Sequence, residues 1–333
     1  MAYFGKGFSR MKLRRIGLLT SGGDAPGMNS AIRGVVRTAL QMDIGVLGVR
    51  RGYNGLINGD VVEMSTKDVN GLTTKGGTML YTARCPEFMA QAGIEKARDT
   101  CKYLGIDAMV CVGGDGTFRG ARDLASCGVA TYGIPATIDN DIACTNYSIG
   151  FDTACNTAVE CIDKLRDTMQ SHERCSLVEV MGRHAGHLAV YVGIAVGANV
   201  ILVPEREVDF EKDVCEKIRR ARIHGRTHFI IIVAEGVGNS QQIADRVRSE
   251  TGLDPRVTIL GHVQRGGSPN VRDRVTAARM GKYAVDRLAD GHSNRVVGIK
   301  DGSMQDFDIN EALEMKKDLQ QEMYDTALVL SMS

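Results

Sequence analysis

The chain has 333 residues, 43% of them hydrophobic and 24% charged, with a formal net charge of +1. That length suits two domains, each able to bury its own core. Near-neutral charge, no Trp and only 5% aromatic residues provide neither a positive field nor a base-stacking surface, so nucleic acid and anionic lipid are not expected partners. Nine cysteines are scattered without Cys-x-x-Cys pairs or zinc-ligand spacing, which reads as reduced, mostly buried thiols and a cytoplasmic protein. No apolar run approaches the roughly 18 residues needed to span a bilayer. The basic stretch Met1–Arg15 lacks the apolar core of a signal peptide and reads as a disordered extension, with Met11 as a second possible start.

In chain order, the first predicted strand is 15–20, followed by a helix over 29–41. A strand at 108–113 precedes a helix at 118–126, and a strand at 130–134 precedes a helix at 153–170. Strands at 176–181 and 200–203, a helix at 210–224 and a strand at 229–234 continue the alternation. A helix at 241–251, a strand at 257–260, a helix at 272–290 and a strand near Arg295 complete it. The strands are short and continuously apolar, as expected when helices cover both sheet faces. In the helix at 153–170, Ala154, Ala158, Cys161, Ile162 and Leu165 share one face. The pattern predicts an α/β protein with two doubly wound domains, mainly parallel sheets and a site at the carboxyl ends of the strands. Where the domains divide is not visible in the pattern.

Glycines cluster just after predicted strands, where bare backbone amides can approach phosphate. Thr20–Asn29 is such a segment, between a strand and a helix; it is neither a Walker A loop nor a dinucleotide fingerprint, and alone it equally suits a plain turn. Gly113-Gly114-Asp115-Gly116-Thr117 joins backbone amides to one carboxylate, a pattern suited to a phosphate chain carrying Mg²⁺. Its alternative is a tight turn with Asp115 capping the next helix. In Pro135–Asp141, strand-like alternation around Ile138 would aim Asp139 and Asp141 to similar sides. Two such acids can divide the work, one taking a hydroxyl proton and the other helping to place metal; solvated acids in an Asx-turn are the alternative. Basic and polar residues recur at later strand ends: Arg174, Met181-Gly182-Arg183, Glu235 and Gly261–Pro269. Arginine forks and a histidine suit a phosphate monoester and a glutamate suits sugar hydroxyls, although each Arg taken singly suits an ordinary surface position.

In order and spacing, Thr20–Asn29, Gly113–Thr117, Pro135–Ile142, Met181–Arg183 and Leu260–Pro269 resemble the motif set of the short, bacterial-type 6-phosphofructokinases. The resemblance runs from about Met11 through the helix after Arg272. It implies transfer of the γ-phosphoryl group of ATP to the 1-hydroxyl of fructose 6-phosphate, with Mg²⁺, in a homotetramer whose active site lies in the cleft between two domains. These would comprise 1–149 with 263–313 for nucleotide, and 150–262 with 314–333 for sugar phosphate. By the same resemblance, Asp139 is the general base, with Thr137, Arg183 and Asp141 beside the reaction. Asp115 engages Mg²⁺, alongside Asp141. Gly23, Arg84, Cys85, Gly114, Asp115, Gly116 and Thr117 contact nucleotide. Thr137, Ile138, Asp139, Met181, Gly182, Arg183, Glu235, His262, Val263, Gln264 and Arg265 hold the sugar phosphate, and Arg174 and Arg256 reach in from a neighbouring subunit.

Relatives that use diphosphate carry Asp at the place of Gly116 and Lys at that of Ala136, so the residues here favour ATP. Ala136 itself departs from the glycine usual in bacterial ATP enzymes. Arg33 and Arg37, one helical turn apart, together with Arg166 match an effector site for ADP or phosphoenolpyruvate. Asn199 stands where a metal-binding Glu is common, and His224 and Thr227 replace lysines. The Arg-Asp pair around 66–71 is lost. A weak or altered response to ADP is therefore expected. Other readings are a diphosphate-dependent enzyme, a different small-molecule kinase sharing Gly113–Thr117, and a catalytically silent effector-binding subunit.

Overall fold

The computed structural model describes residues 13–331, so the expected N-terminal extension and Met11 lie outside the described residues apart from 13–15. The first half runs β1 (Arg15–Thr20), α1 (Met28–Gln41), β2 (Gly45–Val49), α2 (Gly52–Asn58), β3 (Val61–Glu63), α3 (Gln91–Tyr103), β4 (Ala108–Gly113), α4 (Asp115–Ser126), β5 (Ala130–Pro135) and α5 (Phe151–His172). There follow β6 (Cys175–Val180), α6 (His187–Ala195), β7 (Val200–Leu202), α7 (Glu216–Ile223), β8 (Phe229–Ala234), α8 (Ser240–Thr251) and β9 (Arg256–Ile259). The chain ends with α9 (Val271–Ala289), β10 (Arg295–Lys300), β11 (Ser303–Asp308), α10 (Ile309–Glu314) and α11 (Gln321–Ser331).

Two sheets organise these elements. The larger has seven strands in the order β11-β10-β5-β4-β1-β2-β3, and the smaller has four in the order β7-β8-β6-β9. All pairings are parallel except β2–β3 and β10–β11, which form the antiparallel edges of the larger sheet. β4 and β8 are buried at every residue, which explains why they read as unbroken apolar runs rather than alternating ones. Helices α1 and α9 lie against each other on one face of the large sheet. A Cβ on Gly34 would come 2.6 Å from the Ala278 carbonyl oxygen, and one on Gly281 2.6 Å from that of Ala31, so glycine sets how close the two backbones pack. One apolar cluster joins the sheets: Leu18 and Val110 of the first share it with Val178 and Ile232 of the second. The mainly parallel, helix-covered architecture is as the sequence predicts.

Parallel strands put their carboxyl ends on one side, so the loops after β1, β4 and β5 line one rim and those after β6, β8 and β9 another. One local expectation fails there. The stretch 137–141 is a turn and not an extension of β5, and Asn140 adopts the left-handed region at φ 50°. Asp139 and Asp141 are therefore placed by a turn centred on Asn140 and not by strand alternation.

Candidate active site

The loops after β1 and β4 interlock. The Ser21 amide donates to the Val112 carbonyl at 3.0 Å, and the buried Thr117 hydroxyl donates to the Ser21 carbonyl at 3.1 Å. A Cβ on Gly113 would lie 2.3 Å from Thr117 Oγ1 and 2.4 Å from the Ser21 oxygen, so no side chain fits. Gly114 then leads into α4, which begins at Asp115. The first amides of a helix have no acceptor within it, so the backbone at Asp115 and Gly116 faces out as an anion cradle. Around Gly116 a Cβ would meet nothing within 4 Å, and the residue is exposed. Asp115 Oδ2 accepts from Arg119 Nε at 2.8 Å. The segment carrying Arg84 and Cys85 is tied to the same rim, because Thr82 Oγ1 donates to the Gly22 carbonyl at 2.6 Å; Arg84 is exposed and Cys85 half-buried.

The loop after β5 joins this rim directly. The Ala136 amide donates to the Gly113 carbonyl at 2.9 Å, and the Cβ position of Gly114 is 3.8 Å from Thr137 Cβ. Ile138 and Ala136 are fully buried, so Ile138 can offer a ligand only its backbone. Thr137 Oγ1 accepts from the Asp139 amide at 3.2 Å. Asp139 is 6% exposed, and its Oδ1 has no hydrogen-bond partner among the described residues. Burial pushes its carboxyl from 3.8 up to about 6; Asp141 and Glu235 push the same way, while Arg265 and Arg183 oppose. Burial also raises Asp141, where Asp115 adds to the rise and Arg183 and Lys317 oppose it. Asp115 and Asp141 lie in one another's field, and such a pair of carboxylates offers the hard oxygen ligands that suit Mg²⁺.

The acceptor rim comes from the smaller sheet. Arg183 sits at φ 59°, unusual for a non-glycine residue, and its amide donates to Glu235 Oε1 at 2.6 Å. Gly236 permits this approach, since a Cβ there would lie 2.5 Å from the Arg183 carbonyl oxygen. Met181 and Gly182 are buried, whereas Arg183, His262 and Val263 are exposed. Gln264 is fully buried with its amide 3.3 Å from the Gly261 carbonyl, and Arg265 crosses to the opposite rim. Arg265 Nη1 donates to the Asp24 carbonyl at 3.2 Å, and its guanidinium packs where a Cβ of Gly23 would otherwise be. One arginine thus touches the first glycine loop while its charge acts on Asp139.

Several sequence-predicted residues do not join this cluster. Arg174 and Arg256 lie at the amino ends of β6 and β9, where Ser176 pairs with Arg256. Arg256 bonds Asp254 at 3.5 Å, and both arginines are exposed. The length of β6 separates them from Met181–Arg183, roughly 17–20 Å. Arg33 and Arg37 sit on α1. Arg166, on α5, donates to the Val196 carbonyl that follows α6. Sequence reasoning missed Lys317, whose ammonium donates to Asn140 Oδ1 at 3.0 Å and to the Thr145 carbonyl at 2.9 Å. Nothing marks it in sequence, because a lysine in an irregular segment reads as solvated. All nine cysteines are free, and among the described residues no helix is long and apolar enough to cross a membrane.

Comparison with known proteins agrees with this arrangement. The family model described as Phosphofructokinase matches residues 15–288. A Clostridium botulinum (strain Hall) protein named ATP-dependent 6-phosphofructokinase is 52% identical over 319 residues, covering 96% of this chain and 100% of that one. A Clostridium novyi protein of the same name is 51% identical over the same extents. Among solved structures, phosphofructokinase from Saccharomyces cerevisiae superposes with a TM-score of 0.86 at 34% identity, covering 96% of this chain and 48% of the yeast chain. The chain thus spans about half the length of that yeast chain. With its fold, its convergent loops and its full-length likeness in agreement, this chain belongs to the phosphofructokinase family.

Proposed function

We propose that the protein is an ATP-dependent 6-phosphofructokinase. It transfers the γ-phosphoryl group of ATP to the 1-hydroxyl of fructose 6-phosphate, giving fructose 1,6-bisphosphate and ADP. The curated relatives of that name align over their whole length, which supports both donor and acceptor. The observation that carries the mechanism is Asp139: a buried carboxyl with one oxygen unpartnered among the described residues, on the loop whose Thr137 lies against Gly114.

In this reading Asp139 takes the proton of the sugar 1-hydroxyl as its oxygen forms the new bond to the γ-phosphorus, and ADP departs. A carboxyl near 6 is mostly ionised at neutral pH yet basic enough to accept a proton, as a general base requires. Phosphoryl transfer depends chiefly on alignment and charge stabilisation. Gly23, Gly114 and Gly116 hold the phosphate chain with Arg84 and Cys85 toward the nucleoside, Thr117 props that loop because its hydroxyl and amide are already spent on Ser21 and Gly114, and Thr137 and Arg183 flank the moving group. Asp115, with Asp141, would hold Mg²⁺, which neutralises phosphate charge when bound. The sugar phosphate is held by the backbone at Ile138, by Met181–Arg183, Glu235 and His262–Arg265, with Arg174 and Arg256 supplied by a neighbouring copy.

That sharing requires an oligomer, which the family resemblance makes a homotetramer. We assign nucleotide to 1–149 with 263–313 and sugar phosphate to 150–262 with 314–333, and place the enzyme in the cytoplasm, as its free cysteines suggest. The alternative donor is diphosphate; the open space around Gly116 favours the bulkier ATP. An assay coupled to fructose 1,6-bisphosphate formation, run with ATP, GTP and diphosphate at varied fructose 6-phosphate, tests this. Turnover with ATP at least about tenfold above diphosphate is expected, a gap of about 1.4 kcal/mol. Preference for diphosphate would overturn the donor assignment.

A further inference from the structure

Between α10 and α11 the chain has no regular structure, and Lys316 and Asp318 there are exposed. Lys317 alone of the three turns inward, behind the loop that carries the acids. Its ammonium bonds Asn140 Oδ1 and the Thr145 carbonyl. Asn140 Oδ1 is a hub, accepting also from the Ser148 amide at 3.0 Å and lying 3.2 Å from the Ser148 hydroxyl oxygen. The same hydroxyl contacts the Thr137 carbonyl at 2.7 Å, closing the loop on itself. Asn140 is the left-handed residue between Asp139 and Asp141, so its anchoring decides how the turn presents both acids.

Charge points the same way. With Arg183 and Asp115, Lys317 is one of the charges acting on Asp141. His187 of α6 also faces it and is buried, with Nε2 lacking a partner among the described residues. Burial and Lys317 keep that imidazole neutral, pushing it down to about 4. Burial pulls the Lys317 ammonium down to about 8 and Lys300 adds to that, while Asp141 opposes, so its compensating charge is on the acid side. A second lysine, Lys300 at the end of β10, also fastens this loop, donating to the Ala143 carbonyl at 3.0 Å. It holds main chain only and does not touch Asn140.

We propose that Lys317 is a positioning residue for the transfer reaction, holding Asn140 from behind and setting a cation beside Asp141 so that both acids face the cleft in fixed directions. The proposal rests on the functional reading above. Its test compares Lys317→Met, Lys317→Gln and Lys317→Arg with Lys300→Met, each as the full-length enzyme. Loss of a charged hydrogen-bond donor predicts a kcat about 10- to 100-fold lower in the Met variant. KM for ATP and for fructose 6-phosphate should stay within about threefold, because neither substrate is held by Lys317. Lys317→Arg should recover most of kcat, and Lys300→Met should stay within about twofold of the wild type.

If Lys317→Met does not fold, Lys317→Gln decides, since its polar side chain carries no charge and its amide ends one bond short of the ammonium that reaches Asn140. A normal kcat in folded Lys317→Gln, or equal losses in Lys317→Met and Lys300→Met, overturns the proposal. Amide hydrogen exchange of a peptide covering 137–148 gives a readout without turnover: faster exchange in Lys317→Met supports the proposal, and unchanged exchange overturns it. Wild-type turnover with ATP reports on the functional reading, whereas the ratio of variant to wild type and the exchange data report on Lys317.

Discussion

The donor and acceptor rims of the cleft are built from different materials. After β4, the donor rim is backbone: glycines at 113, 114 and 116 and the first amides of α4, with room measured in tenths of an ångström at Gly113 and open space at Gly116. The acceptor rim is side chain: Arg183, Glu235 and Arg265 reach inward from the carboxyl ends of the smaller sheet, while Arg174 and Arg256 lie away from it, at the amino ends of β6 and β9. Between the rims stands Asp139, buried and pushed up to about 6. A site made of backbone should be sensitive to added atoms and indifferent to charge, and one made of side chains should behave the other way round.

Asp139 gives the largest expected effect. Asp139→Asn keeps the shape and removes the base, so kcat should fall by about 10³-fold, with KM for fructose 6-phosphate nearly unchanged. In the wild type, kcat/KM should fall as pH drops below about 6, as the base becomes protonated. Stability should move oppositely. The carboxyl is at about 6 folded against 3.8 unfolded, so the folded state binds more protons between those values and loses stability as pH rises through them. Above pH 6 the cost persists, at most about 3 kcal/mol. Without nucleotide or divalent cations at pH 8, Asp139→Asn should therefore melt about 2–6 °C higher than wild type. A variant that turns over normally, or melts lower, would remove Asp139 as the buried base.

Next in size is the pair of arginines at the amino ends of β6 and β9, proposed to serve the site of a neighbouring copy. Arg256→Ala should raise KM for fructose 6-phosphate about 10- to 100-fold while leaving KM for ATP alone, if a neighbouring copy supplies the guanidinium. Subunit exchange between Arg256→Ala and Asp139→Asn enzymes sharpens the point. A hybrid site pairing an intact Asp139 with an intact Arg256 from the other chain should recover activity above the sum of the two parents. Absence of recovery would confine each site to its own chain.

The donor rim should respond to bulk. Gly113→Ala forces a methyl against the Ser21 carbonyl oxygen and Thr117, both fixed, and should cost about 1–3 kcal/mol of stability as well as ATP affinity. Gly116→Ala meets nothing and should stay within about 0.5 kcal/mol. Equal melting temperatures for the two variants would break the contrast between a packed and an open glycine.

Much of this was legible in the sequence, and the exceptions have physical causes. Strands β4 and β8 announced themselves because both faces are covered, leaving unbroken apolar runs. β2 did not, since Gly45 and Gly48 interrupt five residues. α6 is apolar on all sides, with Leu188, Ala189, Val190 and Val192 buried, so it lacks the one-sided period that exposes a helix. The glycine and arginine motifs were visible because strand ends put them where ligands bind. The left-handed turn at Asn140 was not, because its bonds run to Ser148 through an irregular loop, and the lysine behind it was not, because its contacts cross more than 170 residues of chain.

Arg33 and Arg37 on α1 and Arg166 on α5, expected at an effector site from the family resemblance, should produce the smallest effect. Arg166 is held by the Val196 carbonyl after α6, so a ligand would have to displace that bond. Asn199, the position at which the resemblance leads one to expect a metal-binding Glu, is 3% exposed; its Oδ1 accepts from the Ile230 amide at 3.0 Å, where Asn199 precedes β7 beside β8. A neutral amide spent on the sheet cannot neutralise a metal serving a diphosphate. Two sites coupled through a protein ordinarily shift affinity about fivefold or more. ADP at saturating concentration should here change half-saturation by fructose 6-phosphate by less than about twofold, measured as initial rates at fixed ATP. Asn199→Glu should not restore the effect alone, because burial would penalise its charge while Arg166 stays engaged. A strong ADP activation of the wild type would mean that Arg33, Arg37 and Arg166 suffice without that acid.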